Sequence, residues 1–333
     1  MSKLKQYIKS ILKSISNSLR VATHKLCSAI IEAARTISYV ETVSNKADTL
    51  HRIIKNTDEE TLKKAFEFNS RKAIARMGLG RVTLAIDTTK ELYYGKNGKL
   101  NVRRTKYEKG TNTSFEFIVL SIVDPMPLPL MALPCRQGQD KAALCKELLN
   151  YAKSLKIKIN CVLFDRGFYI GELMEYLSSV KLRYLIFAPQ NKAMKKFIAK
   201  TDSVNLFCHE IKWNKNFSWW KTETKIVVIR SKFFNQKKKV LEDCYWCFAT
   251  NLKQSLNLIS KYKQRWQIET DFRVHDEARI KSKSNELIIR YFYFLTSLIL
   301  VANWEVNRLV HPKICFKKYL KIIEESSKTE ETT

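Results

Sequence analysis

Apolar positions recur at helical spacing from the start of the chain: Leu4, Ile8, Ile11, Leu12, Ile15 and Leu19 share one side of a helix. The pattern predicts an all-helical, Lys- and Arg-rich region over 1–78 that ends at "RMGLG", where Gly78 and Gly80 mark a boundary. From residue 81 the period changes. "RVTLAIDTT" is a short β-rich apolar run ending at an acid, Asp87, and "LNVRRTKYEKGTNTSFEFIVLSIVD" reads as two antiparallel strands around "KGTNT". "PMPLPLMALPC" is extended and broken by prolines, and "DKAALCKELLNYAKSLK" (140–156) is a helix with Leu144, Leu148, Leu149 and Ala152 along one side. "IKINCVLFD" is a buried type of strand ending at a second acid, Asp165; "GELMEYLSSV" is a helix and "RYLIFAP" a further buried strand.

Residues 190–250 break this alternation. "NLFCHEIKWN", "SWWKTETKIVVIRS" and "KKKVLEDCYWCFATN" read as β segments joined by Lys- and Asn-rich turns, and so as an inserted β unit. Helices resume at about 253, and "RWQIETDFRVHDEARI" lies on the first of them. The organisation expected is a helical region (1–78), an α/β region (79–189), a β-rich insertion (190–250), a helical return (251–312) and a basic-then-acidic tail (313–333) whose end, "EESSKTEETT", should be disordered. The order of strands and helices from 81 to 189 resembles the ribonuclease H-like arrangement, a mixed α/β sheet flanked by helices.

Composition narrows the partners. The 333 residues suffice for two or three domains, and 45% hydrophobic content excludes a largely disordered chain. Sixty Lys and Arg against 32 Asp and Glu leave a formal net charge of +28, which favours a polyanion or an anionic membrane surface as partner, nucleic acid before all. The basic, helical N-terminal region suits DNA binding or a cap packed on the next domain. Eight scattered cysteines suit a reducing cytosol. The one close pair, Cys244 and Cys247, lacks a second pair at finger spacing, and on a strand the two thiols point to opposite faces, so zinc is not expected. No signal-peptide pattern opens the chain, and "YFYFLTSLILVANW" (291–304) is too short a span for a bilayer and reads as a core helix. The expectation is a cytoplasmic protein, nucleoid-associated when on DNA, with no membrane partner.

Asp87 and Asp165 both end strands, where functional groups gather in open α/β sheets; singly, each is an ordinary turn or cap residue. A third carboxylate would complete a set able to hold two Mg²⁺ ions, which take oxygen ligands. Near residue 270 the helical turn selects it. At about 100° per residue, Tyr262, Arg265, Glu269, Arg273 and Asp276 fall within a stripe roughly 80° wide, and Asp271 points away. Glu269 is thus the third candidate, with an ordinary ion pair between Arg265 and Glu269 as the plain alternative.

These residues carry a resemblance. In order, "LAIDTTKELYYGK", "KGTNTSFEF", "VLFDRGFY" and "YKQRWQIETDFR" resemble the DDE transposases of prokaryotic insertion sequences, in the group with a Tyr-x2-Arg-x3-Glu signature and a β insertion; here the signature is Tyr262, Arg265 and Glu269. The likeness covers roughly 80–310. It implies that Asp87, Asp165 and Glu269 are the catalytic, metal-binding triad, loaded with Mg²⁺ or with Mn²⁺ as substitute. It implies that Tyr262 and Arg265 contact double-stranded element-end DNA, that target DNA is the second substrate, and that a homodimer holds two ends. Family members close the signature with Lys seven residues after the Glu; here that position is Asp276, and Arg279, Lys281 and Lys283 are the nearby cations for a phosphate. Arg273 shares the Glu269 stripe, and Trp219 and Trp220 of the insertion can either stack on an unpaired base or pack within their own sheet. A nuclease without strand transfer and an inactive DNA-binding derivative are the competing functions.

Overall fold

The structure, a computed structural model, describes residues 20–95, 101–215, 217–236 and 238–329. The apolar stripe from Leu4 to Leu19 lies outside the described residues. Four helices come first: α1 (Arg20–Thr36), the short α2 (Val40–Val43), α3 (Ala47–Lys55) and α4 (Glu59–Met77). The last has a clear local cause. Asp58 accepts a hydrogen bond from the Thr61 amide at 2.6 Å, Glu59 and Glu60 sit in the positive first turn, and Gly78 ends the helix at φ 58°, a left-handed conformation that glycine takes without strain.

The sheet follows as β1 (Arg81–Leu92), β2 (Arg103–Glu108), β3 (Thr111–Asp124), β4 (Leu128–Pro134), α5 (Lys141–Ser154), β5 (Lys158–Phe164), α6 (Gly171–Ser179) and β6 (Tyr184–Phe187). β1 runs antiparallel to β3 and parallel to β5, β5 runs parallel to β6, and β4 pairs antiparallel with β3. Within β4, β3, β1, β5 and β6 one strand, β3, opposes the other four: the mixed ribonuclease H-like sheet that the element order predicts. The proline-broken segment is β4 itself. Pro129 and Pro134 are accommodated because β4 bonds to β3 along one edge, so a missing N–H can face away from the ladder.

The 190–250 segment opens with a helix, α7 (Lys192–Ile198), which the β reading did not include; Asn191 caps it, accepting from the Met194 amide at 3.0 Å. Then come β7 (Val204–Lys215), β8 (Ser218–Asn235) and β9 (Val240–Thr250). β9 pairs with β6, so these strands prolong the main sheet, in the order β2-β3-β1-β5-β6-β9-β8-β7. The far hairpin is tied to α6 at a close approach: a Cβ on Gly171 would meet the Trp213 ring at 2.3 Å. Glycine is required there because the indole lies on the backbone.

Helices α8 (Asn257–Lys263), α9 (Trp266–Asp276), α10 (Leu287–Arg308) and α11 (Phe316–Thr329) complete the chain. α10 is long and apolar enough to cross a membrane by composition, yet 83% of its apolar window is buried within the protein. It packs on one sheet face together with α1, α3 and α4. Phe294 stacks on Phe117 with ring centroids 4.1 Å apart, and the Tyr291 hydroxyl donates to the Ala132 carbonyl at 2.6 Å. The opposite face carries a second core containing Ala85, Leu163, Leu258, Tyr262 and Ile268.

Residues 324–329 depart from the disorder expected of the acidic end, since α11 continues to Thr329; residues 330–333 lie outside the described residues. Phe316, Tyr319, Leu320 and Ile323 recur at helical spacing and are buried in the core that includes Leu26 and Ile30 of α1. Glu324, which composition assigns to solvent, is buried and pairs with Arg35, whose Nη2 donates to its Oε1 at 3.4 Å. Leu320→Ala should therefore lower the unfolding free energy by about 2–4 kcal/mol in urea titration. An unchanged midpoint would mean that α11 is not docked.

Candidate functional site

Strand alternation sets the position of the first two acids. Ala85 and Leu163 point into the second core, and Asp87 and Asp165 lie two residues beyond them, on the same face. β1 and β5 are parallel partners with Ile86 opposite Phe164, so the next residue on each, Asp87 and Asp165, lie on neighbouring strands roughly 5 Å apart. Asp165 follows the end of β5, whereas β1 runs on to Leu92 in its pairing with β3, so Asp87 does not end its strand as the apolar run predicts. Asp87 is buried, with Oδ1 accepting from the Thr88 amide at 2.8 Å. Asp165 is half-buried, and its Oδ1 accepts from the Gly167 amide at 2.8 Å, which caps the short turn Arg166–Phe168.

The helical carboxylate comes from across that face. α8 and α9 run almost continuously through Gln264 and Arg265, whose backbone stays right-handed helical. Arg265 is buried between the acids. Its Nη1 donates to Asp87 Oδ2 at 2.5 Å and its Nη2 to Glu269 Oε1 at 2.5 Å. The helical ion pair of the plain alternative therefore exists, but its arginine also reaches a strand acid 178 residues away in sequence. Glu269 itself is half exposed, whereas the Arg265 side chain is 8% exposed. One turn earlier Tyr262 is buried among Phe187, Trp246 and Phe248, with the Arg265 guanidinium carbon 5.5 Å from its ring centroid.

The charges are unevenly balanced. Burial pushes the Asp87 carboxyl up to about 6; Arg265 opposes that shift, while Asp165 and Glu269 add to it. Burial works against the Arg265 charge, but Tyr262, Asp87 and Glu269 outweigh it and hold the guanidinium above its ordinary value. Burial also raises the Tyr262 hydroxyl to about 12. Asp271, on the opposite side of α9 as its spacing predicts, is pushed well above the carboxylate range by burial and by Glu305.

Among the described residues, no three acid, His or Cys side chains stand close enough together to hold a metal ion. The donor chemistry nevertheless fits a hard divalent cation. Asp87 and Glu269 are bridged by a cation, the Arg265 guanidinium, Asp165 lies on the strand beside Asp87, and all three offer carboxylate oxygens of the kind such an ion takes.

The other candidate residues are dispersed. Arg273 is exposed on α9, its Nη2 donating to Thr270 Oγ1 at 3.1 Å. Lys281 and Lys283 are exposed beyond α9, beside Tyr39; the Lys281 amide donates to the Ser38 carbonyl at 2.9 Å, and the Lys283 ammonium lies 5.2 Å from the Tyr39 ring centroid. Trp219 and Trp220 are 74% and 52% exposed at the β7–β8 turn, and Trp220 stacks on Trp213 at 5.9 Å. Sequence reasoning missed Glu91, four residues beyond Asp87 on β1, which is buried with Arg290 Nη1 at 3.5 Å and Arg279 Nε at 4.0 Å. A second acid on one strand was the available signal.

Comparison with known proteins agrees with this architecture. A solved piggyBac transposase synaptic complex with hairpin DNA shares the fold at a TM-score of 0.60 and 11% identity, over 99% of this chain and 77% of that one. No curated protein sequence matches the chain. Residues 84–304 match the family described as the transposase DDE domain, which takes in all three acids and more than half of the chain. The chain belongs to the transposase DDE domain family.

Proposed function

We propose that this protein is a DNA transposase of the prokaryotic insertion-sequence type, which cuts the ends of its own element and joins the freed 3′ hydroxyl to target DNA. The observation that carries the reading is the bridge one buried guanidinium, Arg265, makes from Asp87 to Glu269, with Asp165 on the strand beside Asp87, in a chain of net charge +28. Asp87, Asp165 and Glu269 would hold two Mg²⁺ ions, with Mn²⁺ as substitute; bound there, the ions supply activation of the attacking oxygen and stabilisation of the leaving one. The residues of the chain do the rest. Asp87 and Asp165 are fixed by adjacent strands and by backbone N–H donors, so neither carboxylate reorients freely. Glu269 rides on a helix and is half exposed, which leaves it the most adjustable of the three. Arg265 neutralises two acids that would otherwise repel a phosphodiester, and Tyr262 packs behind it.

The substrate is double-stranded DNA at element ends and at the target, and two ends would be held by a homodimer. Trp219 and Trp220 expose aromatic faces suited to an unpaired base. Joining separates this reading from that of a nuclease. Incubated with DNA from the boundaries of its own locus, a plasmid target and Mg²⁺, the protein should nick and then covalently join the boundary DNA to the plasmid. Nicking with no joined product would favour the nuclease, and specific binding with no cut would favour an inactive derivative. Binding should also weaken with salt, log K falling by about 0.9 per phosphate neutralised; a flat response would remove the electrostatic part of the account.

A further inference from the structure

Beyond the three acids, β1 and α9 both run on to the wall of a separate cavity. Its volume is about 630 Å³, and it lies where the segment before α2 and the end of β1 meet the segment after α9. Five cationic side chains line it against two acids, Glu91 and Asp276. Arg279 and Arg290 face Glu91 within 4.0 Å. Lys109, Lys281 and Lys283 remain: among the described residues they make no ion pair, and all three are exposed. Beside them stand Tyr94, which is 67% exposed, the half-buried Tyr39 and the buried Tyr93. Unpaired cations next to an exposed ring in a concave site suit a phosphate with a base attached.

We infer that this cavity takes one nucleotide of the bound DNA strand, its phosphate on Lys109, Lys281 and Lys283 and its base or sugar against Tyr94. The inference rests on the polynucleotide reading above and adds a subsite to it. Location supports it. Glu91 is four residues beyond Asp87 on β1, about 13 Å, and Asp276 is seven beyond Glu269 on α9, about 10 Å. A strand whose scissile phosphate meets the three acids would place a phosphate about three to four nucleotides away in this cavity, at about 3.4 Å of axis rise each. Asp276 lines the same cavity and opposes an anion there.

The test is binding of the full-length protein to a labelled duplex from the boundary of its own locus, measured by anisotropy over a range of salt, with an unrelated duplex alongside. Lys281→Ala and Lys283→Ala should each weaken binding roughly five- to tenfold and lower the salt slope by about one, and Asp276→Asn should tighten binding several-fold. Methylphosphonate linkages are then placed one at a time within four nucleotides of the cut. One of them should weaken wild type and leave the Lys281→Ala protein little changed. An effect confined to the boundary duplex would assign the subsite to element ends, and an equal effect on the unrelated duplex would assign it to DNA at large. If wild type binds while both lysine variants and Asp276→Asn keep its affinity and slope, the cavity is not a phosphate site. If wild type shows no salt-sensitive DNA binding at all, the polynucleotide reading itself fails.

Discussion

Asp87→Asn is expected to abolish DNA cleavage and, in the same protein, to raise stability at neutral pH. The loss of chemistry should be at least about a thousandfold, roughly 4 kcal/mol of barrier, because asparagine cannot supply the anionic oxygen that the three-acid set requires. DNA binding should persist, since the cations of the surface are untouched. The gain in stability comes from linkage. The folded-state value of Asp87 is about 6, above its ordinary 3.8, so the folded protein binds more protons than the unfolded chain between those values. Stability contributed by this group therefore falls as pH rises from about 4 to about 6 and stays low above that, by about 3 kcal/mol. Asparagine mimics the neutral acid, so the variant should melt higher at pH 7 and lose this part of the pH dependence. Thermal melts of both proteins at pH 4.5 and 7 check it. Equal behaviour at the two pH values would contradict the upward shift that burial gives the Asp87 carboxyl.

Arg265→Ala should act in the opposite direction. The guanidinium joins Asp87 to Glu269 in a buried position, and removing one member of such a group leaves charge without compensation. Asp87 can take up a proton, which limits the damage, so the loss should be about 2–3 kcal/mol rather than the upper range for buried pairs. Arg265→Lys should recover little, because an ammonium cannot reach both carboxylates with two separate arms. The informative variable is the divalent cation. Mg²⁺ should raise the melting midpoint of Arg265→Ala more than that of wild type, since in wild type the guanidinium already holds the position between the acids. A smaller shift in the variant would mean that Arg265 shapes the metal site rather than substituting for its charge. In either case the 8% exposure of Arg265 means that it meets DNA only after its bridge opens.

The two strand acids were legible because each ends an apolar run, and strand alternation fixes their face. Glu269 was legible from helical turn angles, which also set Asp271 aside. The bridge from Arg265 to Asp87 was not, for it joins residues 178 apart and depends on how α9 crosses the sheet. The tail shows a different failure. The stripe Phe316, Tyr319, Leu320 and Ile323 was present at helical spacing, but the acidic composition beside it outweighed it, and only the fold supplies Arg35 as partner for Glu324. Likewise the three strands of the insertion could be read, whereas the pairing of β9 with β6 is a register between distant segments that no local pattern encodes.

The most direct measurement is cleavage of DNA from the boundaries of this gene's own locus, by wild type and by Glu269→Gln, each in Mg²⁺ and in EDTA. Strand breaks at the boundaries made by wild type in Mg²⁺, and missing from the other three reactions, are the predicted result. Breaks made equally by Glu269→Gln, or by wild type in EDTA, would contradict a metal-dependent chemistry built on these three acids.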